Sequence, residues 1–351
     1  MKPVDLADID SASFLKKLVA CRTKDSVDEL LRGLPIADEQ EYKFDADNPE
    51  RGWTEGRLHW YPIGGRRGNA GQIALAKRPI NPIAERLING MEAIIEMMRQ
   101  EELKENPHAP PPPSPRQAVK RYFGLPPLDE LPDGPKALRE KAREIARLLQ
   151  LNLHWDKKAR EFALTIRDRG IGQAPGRIHK TLLSLGESDK GDKPYLIGVF
   201  GQGGSSTYAA SEYSWVISRR MTDFLQGEQD GIGFSIVKHI HPKGRRDHYF
   251  AYLAAHPDGR APRLPISAAQ AIEFEHGSWF AHINYDFGPS RSAITRGLYQ
   301  SLNHVLYNPV LPFDTNVAGT EAPIYGNGYR LSNLEDERKD LDKKFEQRVV
   351  A

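Results

Sequence analysis

Apolar residues recur at helical spacing in the stretch between Asn81 and Glu102. They form one stripe on the predicted helix, which is the pattern of a helix that packs on a core. The stripe consists of Leu87, Met91, Ile94, Ile95 and Met98. Asn81 is a suitable N-cap, and Pro82 suits the first helical position because a missing N–H costs nothing there. The pattern therefore predicts a long amphipathic helix that begins near residue 81.

Farther along the chain, apolar and polar residues alternate, which is typical of strands. The first two alternating runs are Leu151, Leu153 and Trp155, and then Phe162, Leu164 and Ile166 after a polar turn. Four more runs follow, "YSWVISRR", "IGFSIVKHI", "HYFAYLA" and "GSWFAHINYDF". The order of helix, hairpin, glycine-rich segment and strand meander predicts an α/β two-layer sandwich, with one mixed β-sheet and helices on one face.

Proline residues and charged runs predict how the chain is divided. The stretch 105–117, "ENPHAPPPPSPRQ", should form neither helix nor central strand, because proline lacks an N–H and fixes φ. It lies in a predicted insertion at about 103–147 that ends in a charged helix. This insertion interrupts a predicted main domain at 46–290. Residues 1–45 are predicted as a helical segment, and 291–351 as a helix and the start of a further domain, which favours a fragment of a longer protein.

Composition narrows the class of protein. The 351 residues include 49 basic and 47 acidic side chains, so charge alone does not indicate a nucleic-acid binder. The single cysteine, Cys21, excludes an internal disulfide and a cysteine-cluster zinc site,. His239 and His241 lack a third ligand at a useful spacing, so no metal site is predicted there. Without a signal peptide or a membrane-spanning apolar run, we predict a cytoplasmic protein that does not enter membranes.

Three polar residues on the first predicted helix are candidates for chemistry. Glu85, Asn89 and Glu92 lie at i, i+4 and i+7, so they share one face of the helix,. An amide oxygen can bind Mg²⁺, and a carboxylate can orient a water molecule. A solvated helix surface produces the same pattern, so this feature alone does not identify a site.

A second polar stretch, "TIRDRGIGQAP", places an acidic residue and two glycines directly after a predicted strand. They are Asp168, Gly170 and Gly172. A carboxylate at this position can accept a hydrogen bond from an exocyclic amine such as that of adenine, and glycine has no Cβ to block a planar ligand. A tight turn stabilised by aspartate and glycine is the alternative.

The third stretch is the glycine-rich segment "YLIGVFGQGGSSTYAAS". Its successive glycines allow backbone N–H groups to converge on an anion, and Ser205 and Ser206 can begin a helix whose N-terminus favours phosphate. A P-loop is excluded because Gly204 stands where its lysine is required,. A Rossmann fingerprint fails because the spacing is wrong and a strand follows. A glycine-rich turn is the alternative.

In this order, the stretches resemble motifs of the GHKL ATPase superfamily, which includes the gyrase B subunit, MutL, the ninety-kilodalton heat-shock chaperone, histidine kinases and the MORC proteins. "ERLINGMEA" resembles the N box, "DRGIG" the first glycine box and "GVFGQGG" the second. "HGSWFAHINYDF" resembles the later Gly-Thr box, with Ser278 in place of threonine. The likeness in motif style is closest to MORC-like and chaperone-like members. It implies the Bergerat ATP-binding fold, with ATP and Mg²⁺ as ligands.

The resemblance also implies a role for each matching residue. Glu85 would be the general base or water-orienting carboxylate for attack on the γ-phosphate, and Asn89 would bind Mg²⁺. Asp168 would accept a hydrogen bond from the adenine amino group, with Gly170 and Gly172 beside the base. Phosphoryl transfer needs mainly positioning and charge neutralisation, so these groups suffice without a covalent nucleophile.

For the phosphates, the resemblance implies a cradle formed by the backbone of the second glycine box. The residues assigned to it are Gly198, Gly201, Gln202, Gly203, Gly204, Ser205 and Ser206. Ser278 would support the adenine end of the ligand. Residues 173–197 would form the ATP lid, in which Lys193 would face the phosphates.

Glu85 favours hydrolysis over kinase activity, because histidine kinases generally lack a glutamate at this position of the N box. The expected function is Mg-dependent ATP hydrolysis that drives lid closure and a conformational or dimerisation switch. A role in DNA manipulation or defence against foreign DNA is expected by analogy alone. One alternative is a chaperone-like or scaffold module that binds ATP without turnover, and another is a degenerate fold that binds no nucleotide. The expected partners are ATP, a second copy of the chain, and DNA or a protein client.

Overall fold

The computed structural model describes most of the chain between residues 10 and 324. The described residues are 10–37, 45, 47–73, 78–131, 134–185, 193–197, 205–242, 248–288, 294–306, 309–317 and 320–324. Gly198, Gly201, Gln202, Gly203 and Gly204, which the sequence assigned to phosphate contact, lie outside these ranges.

Ten strands of the described part form a single sheet. They are β1 His59–Pro62, β2 Leu149–Asp156, β3 Glu161–Asp168, β4 Tyr213–Arg219, β5 Ile232–Ile240, β6 Tyr249–Ala254, β7 Arg263–Leu264, β8 Gly277–Ile283, β9 Phe313–Val317 and β10 Thr320–Ile324. Their order is β1-β6-β5-β4-β8-β3-β2-β9-β10, and β7 pairs with β5. Among these ten described strands, β2 and β9 pair in parallel and the other pairs are antiparallel. The prediction of a mixed sheet in an α/β fold is confirmed.

Eight α-helices within the described ranges accompany this sheet. They are α1 Ser11–Ala20, α2 Lys24–Arg32, α3 Ile80–Glu105, α4 Pro115–Phe123, α5 Lys136–Ala146, α6 Ile178–Thr181, α7 Ser206–Ala209 and α8 Ile294–Val305. None of the helices in the described ranges combines the length and hydrophobicity needed to cross a bilayer.

Helix α3 packs on one face of the sheet through the predicted apolar stripe. Leu87, Met91, Ile94 and Ile95 are buried in one cluster with alternate residues of β2 and β3, and Met98 packs against it. Leu151 and Leu164 are among these strand residues, and α8 contributes Leu298 and Leu302 to the same cluster. The stripe therefore holds α3 parallel to the plane of the sheet, above the strand that ends in the "DRGIG" turn.

The other face of the sheet is also covered by helices, so the prediction of helices on one face is wrong. Phe14, Leu15 and Leu18 of α1 are buried with Trp215 of β4 and Phe234 of β5. The rings of Phe14 and Phe234 are 4.8 Å apart. The physical reason lies in the strands themselves, because β4 and β5 carry large apolar side chains on both faces, and both faces must be shielded from water.

The boundaries of two predicted segments also shift. Helix α3 begins at Ile80, so Asn81 lies inside its first turn and is not the N-cap. In the proline-rich stretch, Pro115 occupies the first turn of α4, and Ser114 caps this helix by accepting a hydrogen bond from the N–H of Gln117 at 3.2 Å. Residues 115–117 are therefore helical, because proline is well tolerated at a helix start.

Polar contacts anchor the insertion to the far end of α3. Glu102 forms ion pairs with Arg99 and Arg121. It also accepts a hydrogen bond from the Tyr122 hydroxyl at 2.9 Å. Arg99 Nη2 donates to the carbonyl of Ala109 at 2.7 Å, which fixes the proline-rich turn. The insertion is thus tied to the same helix that carries Glu85 and Asn89.

Candidate functional site

Asp168 is the last residue of β3 and is buried, with a relative exposure of 4%. Its Oδ1 accepts hydrogen bonds from the backbone N–H of Gly170, at 2.9 Å, and of Ser278, at 3.2 Å. Burial raises the pKa of this carboxyl to about 7, although the two N–H donors act in the opposite direction,. Both donors contact Oδ1, so Oδ2 offers its lone pairs to a further donor.

Ser218 of β4 completes a polar cluster around this carboxylate. Its Oγ accepts from the N–H of Gln173 at 2.9 Å and donates to the carbonyl of Gly277 at 2.9 Å. The Ser278 Oγ lies 3.0 Å away. Because a hydroxyl has only one proton, the proton between the two serines must come from Ser278. The four residues Asp168, Gln173, Ser218 and Ser278 therefore form one connected group, which we call the polar cluster.

Ser218 was not among the residues predicted from the sequence. The only signal was its place in "YSWVISRR", where a serine interrupts apolar residues near the end of a strand. In the structure, Ser218 pairs with Ser278 across β4 and β8. This pairing joins residues 60 positions apart, and a single sequence offers no periodicity that reveals it.

The glycines of the "DRGIG" turn are required by close backbone packing. A Cβ at Gly170 would lie 2.5 Å from the carbonyl carbon of Ala93 in α3. A Cβ at Gly172, where φ is +64°, would lie 1.9 Å from the carbonyl oxygen of Arg219. In this conformation the spaces beside the two glycines hold protein atoms, so packing alone accounts for both residues.

Helix α3 lies directly against the Asp168 turn. The N–H of Ile171 donates to the carbonyl of Ala93 at 3.0 Å. A Cβ at Gly90 would lie 3.4 Å from the Cβ of Asp168. Asn89, the neighbour of Gly90, is partly exposed, and Glu85 is exposed one turn earlier. The turn of α3 at Gly90 therefore lies against Asp168, whereas Glu85 is exposed to solvent.

Glu92 does not share an exposed edge with those two residues, as its spacing predicted. It is only 3% exposed, and its Oε1 accepts a hydrogen bond from the N–H of Ile197 at 2.7 Å. A carboxylate can be buried when a backbone donor binds it. Glu92 therefore fixes the end of the predicted lid to α3.

Lys193 also contacts α3, through an ion pair with Glu96 at 2.9 Å. The other oxygen of Glu96 accepts from the Tyr195 hydroxyl at 3.0 Å. Burial, with the neighbouring Glu96, raises the pKa of the Tyr195 phenol. In this structure the charge of Lys193 is offset by a carboxylate.

The end of the third stretch reaches α3 from a different direction. Ser205 is buried, and Ser206 begins the short helix α7. Arg86 Nε donates to the hydroxyl of Thr207 at 3.2 Å. Helix α3 is therefore the common surface on which the "DRGIG" turn, residues 193–197 and the start of α7 meet.

Metal ligands are scarce in the described ranges, where no group of three or more His, Cys, Asp or Glu side chains is suited to hold a metal ion. The structure does bring a third histidine, His248, to the predicted pair, with its Nδ1 2.6 Å from the Nε2 of His239. That distance is a hydrogen bond, because two ligands of one metal lie farther apart. Burial and the neighbouring histidines lower the pKa of His239 to about 4.

Asn89 would need phosphate oxygens and water to complete a Mg²⁺ site.

Comparison with protein-family models and with curated proteins found no match to this chain. The class that the structure defines is an α/β protein with one mixed sheet and a buried polar cluster at the end of its central strands.

Proposed function

We propose that this protein binds ATP together with Mg²⁺ and hydrolyses it. The observation that carries the proposal is the position of Asp168. It lies so close to Gly90 of α3 that a Cβ there would come within 3.4 Å of its own Cβ, and it accepts a hydrogen bond from Ser278 of β8. Three stretches that are distant in the sequence and resemble GHKL motifs thus lie side by side. A solvated helix surface or an isolated turn does not require this contact.

The chemistry of the polar cluster suits an adenine base. The base would donate its exocyclic N–H to the carboxylate of Asp168, which is fixed by two backbone donors and buried among apolar residues. A site built to pair a specific amine discriminates strongly against bases without it. The Ser278 Oγ, whose proton goes to Ser218, can still accept a hydrogen bond at the same end of the sheet,.

The polar edge of α3 suits the triphosphate. Asn89 would contribute an amide oxygen to Mg²⁺, which the phosphates would bind as well. Glu85 would orient the attacking water, and its exposed position leaves room for that water,. The fold in this proposal is the Bergerat ATP-binding fold, extended here by α1 and α2 on the second face of the sheet.

The test is a calorimetric titration of the protein with a non-hydrolysable ATP analogue and Mg²⁺, in parallel with Asp168→Asn. We expect binding by the wild type and a loss of affinity of about 100-fold or more in the variant. Absence of binding at millimolar concentrations, or equal affinity of the two proteins, would contradict the proposal. ATP binding without turnover would favour the chaperone-like or scaffold function.

We also propose that the nucleotide controls association of two copies of the chain, as the GHKL resemblance implies. Sedimentation with and without the analogue tests this point, and an unchanged mass at saturating ligand would refute it. A DNA or protein client follows from the same resemblance and is a separate proposal, tested by adding duplex DNA to the nucleotide-bound protein.

A further inference from the structure

Arg86 is a buried cation on the helix that carries Glu85 and Asn89. It is 5% exposed, and its Nε donates to the Thr207 hydroxyl at 3.2 Å. Its guanidinium carbon lies 4.2 Å from the centre of the Phe280 ring and 5.0 Å from that of Tyr208. Aromatic faces attract a cation but carry no net negative charge.

The charge of Arg86 is not balanced by any carboxylate in the part of the chain that the structure describes. Its Nη2 is buried without a hydrogen-bond partner there, and none of the ion pairs found there involves it. A guanidinium keeps its charge even when buried. An unpaired buried charge destabilises a fold, so a site where an anionic ligand supplies the missing partner would account for it.

Two other sources of positive charge that contact α3 are weak. Lys193 is paired with Glu96 at 2.9 Å. Helix α7 has only four residues, so few peptide dipoles are aligned in it,. Arg86, in contrast, contacts Thr207, which follows Gly204, the last glycine of the glycine-rich segment, by three residues.

We propose that Arg86 is a positioning residue for the phosphates of the bound nucleotide, supplying a fixed positive charge and holding α7 through Thr207. This inference rests on the proposed ATP binding and names the anionic part of the ligand as the group that Arg86 serves. Charges interact strongly in a poorly solvated interior. The contribution of Arg86 should therefore increase with the number of phosphates and vanish for adenosine.

The test measures the affinities of adenosine, AMP, ADP and ATP with Mg²⁺ for the wild type and four variants of the full chain, one of them a control. In Arg86→Met, we expect ATP to bind at least about tenfold more weakly and adenosine to bind with unchanged affinity. Arg86→Lys should recover most of the ATP affinity. Thr207→Val keeps the charge but loses the hydrogen bond, so ATP should bind about threefold more weakly and adenosine normally.

Arg99→Met is the matched control, because Arg99 is also buried on α3 but is paired with Glu102. It should lower thermal stability and leave the nucleotide series unchanged. Equal losses for adenosine and ATP in Arg86→Met, or no loss at all, would overturn the inference. If Arg86→Met does not fold, the ATP affinity of Thr207→Val becomes the deciding measurement. An ATP affinity equal to that of the wild type would then overturn the inference. A wild type that binds none of the four ligands refutes the proposed function itself. ATP binding that is unchanged by Arg86→Met refutes only the role of Arg86.

Discussion

The backbone N–H of Ser278 donates a hydrogen bond to the Asp168 carboxylate over a separation of 110 residues. It does so because β3 and β8 are antiparallel neighbours in which Asp168 and Ser278 are directly paired. Gly277 allows the close contact, since its φ is +103° and a Cβ there would lie 2.2 Å from the Asp168 carbonyl oxygen. The acidic residue is thus positioned by the sheet itself.

Asp168→Asn should stabilise the protein at pH 8 and have less effect at pH 4. The pKa of Asp168 is raised by burial from its ordinary value of 3.8 to about 7 in the folded state. The favourable contribution of Asp168 to the free energy of unfolding is therefore fully present below about pH 4 and is lost as pH rises through about 7. The difference in free energy of unfolding between variant and wild type should grow by about 1.4 kcal/mol per pH unit across this window. Urea denaturation at several pH values measures it.

Asp230→Asn is the control with the opposite sign. Arg219 donates hydrogen bonds to Asp230 and lowers the pKa of that carboxyl. The ionised Asp230 therefore stabilises the folded state above the ordinary pKa of an aspartate, and this stabilisation is lost only as pH falls through the lowered pKa. The difference caused by Asp230→Asn should hence be constant between pH 5 and pH 8. A pH-independent difference for Asp168→Asn would contradict the assigned burial effect.

Adenosine affinity should rise with pH up to about 7 and then level off. The base would donate its amino group to the ionised form of Asp168, which becomes less populated below this pKa. Adenosine is the suitable ligand because it has no phosphate that titrates in this range. Inosine, which lacks the amino group, is the control and should bind weakly at every pH. An adenosine affinity that increases toward pH 5 would be the contrary result.

Glu85→Gln should bind ATP normally and hydrolyse it about 100-fold more slowly or worse. The amide matches the size of the carboxylate but cannot act as a base. Glu105→Gln, at the exposed end of the same helix, should behave as the wild type. Steady-state phosphate release and analogue titration measure the two properties separately. If Glu85→Gln left the rate of ATP hydrolysis unchanged, Glu85 would not be the water-orienting carboxylate.

Ser218→Ala should weaken both the fold and adenosine binding. The N–H of Gln173 and the carbonyl of Gly277 both lose their partner, which costs about 1 to 3 kcal/mol. Ser235→Ala is the control, because Ser235 is equally buried and donates to the Leu253 carbonyl at 2.8 Å. It should lower the free energy of unfolding but leave adenosine affinity intact. Identical effects of the two variants on binding would make Ser218 purely structural.

Gly172→Ala should destabilise the fold by more than about 3 kcal/mol. The new methyl group would collide with the Arg219 carbonyl oxygen at 1.9 Å. Gly56→Ala isolates the backbone cost, because Gly56 has φ +76° with no atom within 4 Å of a Cβ. That variant should lose only about 1 to 2 kcal/mol. Comparable chemical denaturation midpoints for the two variants would show that the turn relaxes easily.

The parts of the fold that sequence predicted well are those with a strong local period. The apolar stripe of α3 and the alternation in β2 and β3 are such patterns, and all three elements form as expected. Strand β9, "FDTNV", has only two apolar residues. It forms because β2 offers a parallel partner. Pairing of this kind produces no recognisable apolar–polar pattern in so short a strand.

The candidate site also contains residues that could be predicted from local sequence and residues that could not. Asp168 and Ser278 could be predicted as separate residues from their motifs, and they do lie together. Burial of Glu92 could not be predicted, because its partner is a backbone N–H 105 residues away. Helical spacing reports the direction of a side chain on its own helix, but the segment that covers it comes from elsewhere in the chain.

Helix α3 is one continuous helix of 26 residues, or roughly 39 Å at 1.5 Å per residue. One end contacts α7 through Arg86, and the other holds the insertion through Glu102. A stiff rod between two contacts transmits a tilt from one to the other. The proline-rich insertion and helix α7 are therefore connected through one rigid element, and any change in the tilt of α3 moves both.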